Sequence, residues 1–504
     1  MKPLRLAAAL AFALVTPCLA QTPMRGGTLN VAMPDDAKSL DPTIQINFTE
    51  RQPEYLIYNT LVGLKPDFSF VPELAETWDL AADGRRLTFH LRDGVTFHDG
   101  TKLDAEAVRW NLAHRLDPSV KSPSRTQLAD LIASVEVTDS RTVAITLKAP
   151  APSLLGMLAQ REGFIVSPTA ATKYGDSFGL HPVGSGPFIF KDWVQGSRIV
   201  LDRNPDYWEP GKPYLDHIVF IQTQNPAVGV PRLMTRELDF IAALSPTDAR
   251  PLENRAGIKL ARSPGNRWMS LQLRWDRPPF NDPRFREAIA HAVNRKRMVD
   301  IVMNGKADIA EGSTPPGLWW FDPALRSYDF DPAKSRALLA DAKLENTEIA
   351  ISTQPVALYQ QVSQLVQEDL RAVGIKVTIQ PVSVSEWYPQ LIAGNINFLP
   401  VRWTQRPDPD GLLTYLFHSK SAANTSRYAN SEVDSLLDRA RETFDQAERT
   451  KLYFAAQRLM TQDLPFINLF FSIEFAAMRD EVQNYVWIPD EIPRFREVWK
   501  SAPR

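Results

Sequence analysis

The sequence predicts a mixed α/β protein divided into two or three lobes, and three observations carry that expectation. At 504 residues the chain is too long for one hydrophobic core. Strand-like alternation and helix-like spacing interleave in both halves, with strands preceding helices often enough to give sheets covered by helices. Forty prolines against twenty-three glycines imply stiff, irregular connections instead of floppy linkers. Hydrophobic, aromatic and charged fractions of 44%, 10% and 23% are those of a folded soluble protein.

The first twenty residues stand apart. Lys2 and Arg5 precede an apolar run from Leu6 to Val15, and Cys18-Leu19-Ala20 leads to a cut ahead of Gln21, so residues 1–20 read as a signal peptide. The run is about half the length needed to span a bilayer, and the protein is expected to be exported and released. Cys18 is the single cysteine and leaves with the leader. Val15-Thr16-Pro17 before it fits lipoprotein processing poorly, so a lipid anchor is not expected. Without a thiol the mature chain has no disulfide, thiolate metal site or cysteine nucleophile. Losing Lys2 and Arg5 leaves 55 basic against 59 acidic residues, a net charge of −4, which argues against nucleic acid or an anionic membrane as partner.

Gly26–Met33 reads as a strand, with helical spacing next around Tyr55, Leu56, Tyr58, Asn59 and Leu61-Val62. Ala75–Leu80, Arg86–Arg92 and Val95–His98 form a predicted meander, punctuated by Asp83-Gly84, Asp93-Gly94 and Asp99-Gly100. Asp104 caps a helix carrying Ala105, Val108, Leu112 and Leu116 on one face, and a hairpin follows across Asp139-Ser140. Gly184-Ser185-Gly186-Pro187 turns into a strand that pairs with Ile199–Leu201. Asp282-Pro283 and Asp331-Pro332 each place a cap and a first-turn proline before a helix. A helix over about 359–373 stops at Gly374 and feeds the strand Ile375–Ile379. A helix capped near Ser431 and the apolar strand Phe466–Phe471 complete the reading.

The candidate functional stretch runs from Asn397 to Gly411. A short apolar run ends in Arg-Pro-Asp-Pro-Asp-Gly, so a buried strand empties into a rigid turn. The prolines restrict themselves and the residue before each, holding Arg402, Trp403, Thr404, Gln405, Arg406, Asp408 and Asp410 in place. An aromatic plate among guanidiniums and carboxylates can hold a polar or zwitterionic small molecule. The alternative is that Arg402 and Arg406 pair with Asp408 and Asp410 to brace a loop. Catalytic groupings are not found. His90 and His98 lack a third metal ligand, Asp408-Pro409-Asp410-Gly411 departs from a calcium loop at Leu412, and Gly184-Ser185-Gly186 is not a nucleophile elbow. Neither a cofactor nor a resident metal is expected.

Pro72-Glu73-Leu74-Ala75-Glu76-Thr77-Trp78, the Asp83-Gly84 turn and Leu87 to Gly100 resemble the signature of the family 5 extracellular solute-binding proteins, the peptide, nickel and glutathione receptors of ABC importers. The likeness continues at Gly184–Phe188, Asn204–Trp208 and Phe280–Ile289. It implies a two-lobed periplasmic binding protein fold with an extra domain, the large three-domain variant of type II, crossed twice between lobes near Leu271 and Ile473. Domain I would comprise 21–70, 183–270 and 474–504, domain II 71–182 and domain III 271–473. In peptide-binding members an aspartate receives the ligand's ammonium, and the alignment puts Gln405 there, leaving Asp408 as the substitute. The Arg-Pro-Asp-Pro-Asp form is similar to members handling glutathione-type ligands. Trp268, Trp319 and Trp320 are candidates for cleft walls, or else ordinary core aromatics.

The expectation is therefore a monomeric periplasmic receptor without catalysis that captures a small peptide, glutathione-like solute, opine or similar molecule and delivers it to an inner-membrane ABC permease. A secreted hydrolase using Asp408 and Asp410 is the alternative from another class. The same receptor serving chemotaxis is a third.

Overall fold

Thr28–Met33 places Leu29, Val31 and Met33 in the core, and its backbone ladder runs parallel to His217–Gln222 from Thr28↔His217 to Met33↔Gln222. Around this pair a seven-stranded sheet forms in the order 188–194, 198–203, 217–222, 28–33, 240–244, 475–479, 258–262. The computed structural model describes residues 22–44, 47–263, 265–383, 386–488 and 490–502; the leader at 1–20, with Cys18, lies outside them.

A second sheet has the order 75–80, 86–91, 142–147, 132–139. Arg86–Leu91 alternates half-buried and buried residues, the period-two signature of a sheet with one face in the core. Val95–His98 does not supply the expected third strand. Only an isolated bridge, Thr96 to Lys102, forms there, and Thr142–Leu147 takes the place beside Arg86–Leu91. The reason is local: Gly94 and Gly100, at φ +72° and +80°, turn the chain at both ends of this short segment. The helix Ala105–Leu116 packs on this sheet, with Asp104 accepting the Ala107 N–H as cap.

The third assembly is a four-stranded sheet, 308–309, 466–472, 267–273, 398–404, beside a parallel pair, 348–353 with 376–381, joined by the helix Ala357–Ala372. Every residue of Phe466–Ser472 is buried, which explains why its sequence is a continuous apolar run instead of an alternating one. The caps at Asp282 and Asp331 form as expected, and Asn430, one residue before Ser431, caps Ser431–Arg441.

The chain changes from the first sheet to the third between Arg262 and Arg267, ahead of the expected position at Leu271, because Arg267–Leu273 lies wholly within the third sheet's ladder. It returns between Ser472 and Phe475, spanning Ile473. The early helix also differs from expectation. It covers Phe48–Ile57, and Tyr58 onward is extended, with Asn59–Thr60 and Val62–Leu64 as short strands. Apolar spacing over so few residues fits a helix or two short strands equally well.

Candidate functional site

Phe398–Val401 is apolar and buried, while Arg402, Trp403 and Thr404 at the strand's end are half-exposed. The strand pairs antiparallel with 267–273, so that Trp403 lies opposite Trp268 and Thr404 opposite Arg267. Beyond it the chain turns through Pro409–Gly411 with Asp408 as cap, its Oδ1 accepting the Asp410 N–H at 3.0 Å. The buried strand and rigid turn read from the sequence are both present.

The charges of this stretch do not pair among themselves. Asp408 is held by Arg449 of the helix Gln446–Asp463, whose Nη1 and Nη2 donate to Oδ2 and Oδ1 at 2.8 Å each. Both side chains are only 6% exposed, a buried bidentate pair. Both carboxylate oxygens of Asp408 are therefore engaged within its own lobe. Asp410 is buried with Arg441 Nε 3.4 Å from its Oδ1, and burial pushes its carboxyl up against that attraction. Gln405 is also committed: it is 1% exposed and its Nε2 donates to the Ser313 carbonyl at 2.7 Å.

Arg402 faces Glu474 Oε1 at 3.8 Å, and Arg267 ion-pairs with both Glu474 and Glu491. Two guanidiniums and two carboxylates thus sit together at the residues where the chain changes sheets. Burial pushes the Glu491 carboxyl up to about 7 against the pull of Arg267. Arg406 differs from the rest. Its side chain is exposed, and it has no hydrogen bond or ion pair among the described residues.

Trp403 meets Tyr415 edge-on, ring centroids 6.2 Å apart, and its buried indole N–H has no hydrogen-bond partner. The other three tryptophans serve packing. Trp268 is 1% and Trp320 0% exposed, both in the apolar cluster of the third lobe. Trp319 lies edge-on to Trp320 at 5.1 Å and under the Arg449 guanidinium at 5.3 Å, so it supports the Asp408–Arg449 pair. Trp268 and Trp320 thus sit as core aromatics, the other of the two readings that the sequence left open.

Other lobes meet this wall directly. A Cβ placed on Gly156, in the helix Ser153–Leu158, would lie 3.3 Å from Asp408 Cβ and 3.5 Å from Pro407 Cβ. Phe68, at the tip of the hairpin formed by Val62–Leu64 and Phe70–Pro72, stacks on Trp320 with ring planes 8° apart. Sequence reasoning singled out neither residue. It also set the helix Phe48–Ile57 too late in the chain and left out its buried polar residues Thr49, Glu50, Arg51, Gln52 and Glu54. Their burial is set by tertiary packing, which adjacent residues do not announce.

A recess of about 270 Å³ opens between this helix, the hairpin and the segment 484–497, lined by Tyr55, Tyr58, Asn59, Glu73, Arg494 and Arg496 among others. Its charges are matched internally, Arg496 donating to both Glu73 oxygens at 2.9 and 2.8 Å and Arg494 to Asp490 at 2.7 Å. None of the residues nominated from sequence lines it. His90 lies 2.9 Å from Asp79, and His98 faces the Gly186 carbonyl, burial pushing its imidazole down to about 4. Among the described residues no group of three His, Cys, Asp or Glu could hold a metal, and no helix is long and apolar enough to cross a membrane.

The chain is 31% identical over 473 residues to a di/tripeptide-binding protein 2 of Pseudomonas aeruginosa, covering 88% of this chain and 89% of that one. It is 30% identical over 492 residues to the glutathione-binding protein GsiB of Shigella flexneri, with 95% and 96% covered. In structure it matches the periplasmic binding protein DppA of Helicobacter pylori in complex with the peptide STSA. That match has a TM-score of 0.81 and 27% identity, over 95% of this chain and 98% of that one. The family model for the middle region of the bacterial extracellular solute-binding proteins, family 5, matches residues 69–424. With its two changes of sheet at 262–267 and 472–475, this chain belongs to family 5 of the bacterial extracellular solute-binding proteins.

Proposed function

We propose that this protein is the periplasmic substrate-binding component of an ABC importer, capturing a small peptide or peptide-like solute between its lobes and delivering it unaltered to an inner-membrane permease. The observation that carries the reading is the junction of two short connections between the first and third sheets, and Arg402, Trp403, Thr404 and Arg406 near it are the residues we assign to the solute. Lobes linked only by two such crossings can rotate about them, and a solute that prefers the closed form shifts the population toward it. The relatives named for di- and tripeptides and for glutathione support the solute class. The domains follow the sheets, with domain I on the seven-stranded sheet, domain II on the sheet of 75–147 and domain III on the remainder. Export by the leader to the periplasm, a monomeric state and the absence of catalysis belong to the same proposal. Against a hydrolase, Asp408 is neutralised by Arg449 and Asp410 lies beside Arg441.

A solute at a hundredfold excess over its Kd stabilises the native state by about 2.7 kcal/mol. A melting-point screen with dipeptides, tripeptides, glutathione and opines should therefore yield at least one clear upward shift. If no member of any of these classes moves the melting point, and tryptophan emission stays constant, the importer reading fails.

A further inference from the structure

The recess of about 270 Å³ beside the helix Phe48–Ile57 lies away from the residues assigned to the solute. Its described lining comes from 55–73, Ala159 and 484–497, and none of it from 267–473, the third lobe. It is therefore not the place where Arg402, Trp403 and Arg406 stand.

Its polar groups are already spent on the protein. Asn59 Nδ2 donates to Glu73 Oε1 at 2.7 Å, and its Oδ1 accepts from Ser185 Oγ and Trp208 Nε1, each at 3.1 Å. The Tyr58 hydroxyl donates to the Leu40 carbonyl at 2.7 Å, Thr60 to the Val62 carbonyl at 2.8 Å and Asn484 to the Glu497 carbonyl at 3.1 Å. The charges are matched as well, Arg496 by Glu73, Arg494 by Asp490 and Glu497 by Lys212. A charged guest would give up its water for a site whose counter-ions are all engaged, which is costly.

What the recess leaves open is apolar. Leu64 and Val71 are half-buried and Val486 is 50% exposed, with Ala159 and Ile488 buried deeper in the lining. Covering such side chains is favourable in proportion to the apolar area taken from water. The walls are also braced. The Arg494 guanidinium lies 3.8 Å from the Tyr55 ring centroid, and Phe164 meets Tyr55 edge-on at 4.7 Å. A concavity held open in this way spares a guest the cost of ordering its walls.

We propose that this recess is a second binding site, separate from the interlobe gap, and that it takes a small uncharged molecule with an apolar body about the size of one substituted ring. Nothing in it depends on which solute the interlobe gap receives.

Fluorine NMR of the full mature chain tests this with para-fluorobenzyl alcohol, using para-fluorobenzoate and para-fluorobenzylamine as an anion and a cation of nearly the same size. The alcohol should bind saturably and about tenfold more tightly than either ion. Val486→Trp, made at an exposed rim where the melting point should not change, should fill the mouth and weaken the alcohol about tenfold, the worth of roughly two buried methylenes. Trp403→Ala, in the interlobe wall, should leave the alcohol's affinity within about twofold. An alcohol that does not saturate overturns the inference, and so does an ion that binds as tightly as the alcohol. An unaffected Val486→Trp, or a Trp403→Ala that weakens the alcohol as much, overturns the assignment to the recess. If Trp403→Ala alone releases the alcohol, the probe sits in the interlobe gap, and the importer reading stands while the second site falls.

Discussion

Phe68 gives the sharpest test of whether the lobes part. It sits at the tip of the hairpin 62–72, 1% exposed, with its ring stacked on Trp320 at a centroid distance of 6.3 Å. Its cluster is that of the third lobe, while Val62 at the hairpin's base packs with the second lobe. Its backbone is left-handed, φ +62°, a conformation that costs a bulky residue on the order of 1 kcal/mol and is tolerated where burial offsets it. Truncating a permanently buried phenylalanine costs about 3–5 kcal/mol. Alanine keeps the backbone cost, so no relief is expected from that side. If opening withdraws Phe68 from Trp320, the loss in Phe68→Ala falls on the closed state alone. About 3 kcal/mol on that equilibrium, at 1.4 kcal/mol per decade, weakens solute binding by roughly 10²-fold and leaves the unliganded melting point nearly unchanged. If instead Phe68 belongs to a fixed core, the same energy lowers the unliganded melting point by roughly 6–12 °C, with little change in affinity. Calorimetry with the best solute from the screen, alongside melting of the free protein, separates the two. A fall in melting point without a fall in affinity refutes the bridging role.

The Asp408–Arg449 pair should behave as structure. Asp408→Asn leaves a buried guanidinium without its counter-ion and should cost about 3–5 kcal/mol by denaturant unfolding, whereas Asp408→Asn with Arg449→Met should recover much of that loss. Glu54 carries a pH signature. Burial, aided by Glu50 and Asp41 and opposed by Arg51 and Arg115, pushes its carboxyl up to about 8 from an ordinary 4.5. The folded state therefore holds a proton that the unfolded chain releases. This contribution is fully present below pH 4.5 and is lost as pH rises through about 8, a swing of up to about 5 kcal/mol. Glu54→Gln should flatten the decline in melting point between pH 5 and 8; an unchanged slope refutes the assignment.

What was legible in the sequence was local. The caps at Asp104, Asp282 and Asp331 each satisfy a backbone N–H within three residues, so their chemistry is written in adjacent letters. The strand at 398–404 and its rigid turn were readable for the same reason. Long-range partnership was not. Arg402 and Arg406 stand within a few residues of Asp408 and Asp410 and make the obvious pairs. Yet Asp408 takes Arg449, 41 positions on, because the helix Gln446–Asp463 carries that guanidinium over the Trp319 ring. The helix Phe48–Ile57 shows the converse. With polar residues buried where lobes meet, it has no apolar stripe to announce it, and short apolar strands downstream imitated one.

The distribution of charge then separates hinge from gap. At the crossings Arg267 and Arg402 face Glu474 and Glu491, and each ion pair there lies beside the backbone that must bend. In the turn, Asp408 and Asp410 are matched by arginines from helices of their own lobe, which fixes the wall as a rigid unit. Of the charged side chains in this stretch, Arg406 is the one with no hydrogen bond or ion pair among the described residues. A receptor that must close on one class of guest and reopen needs its hinge and wall electrostatically settled in both states.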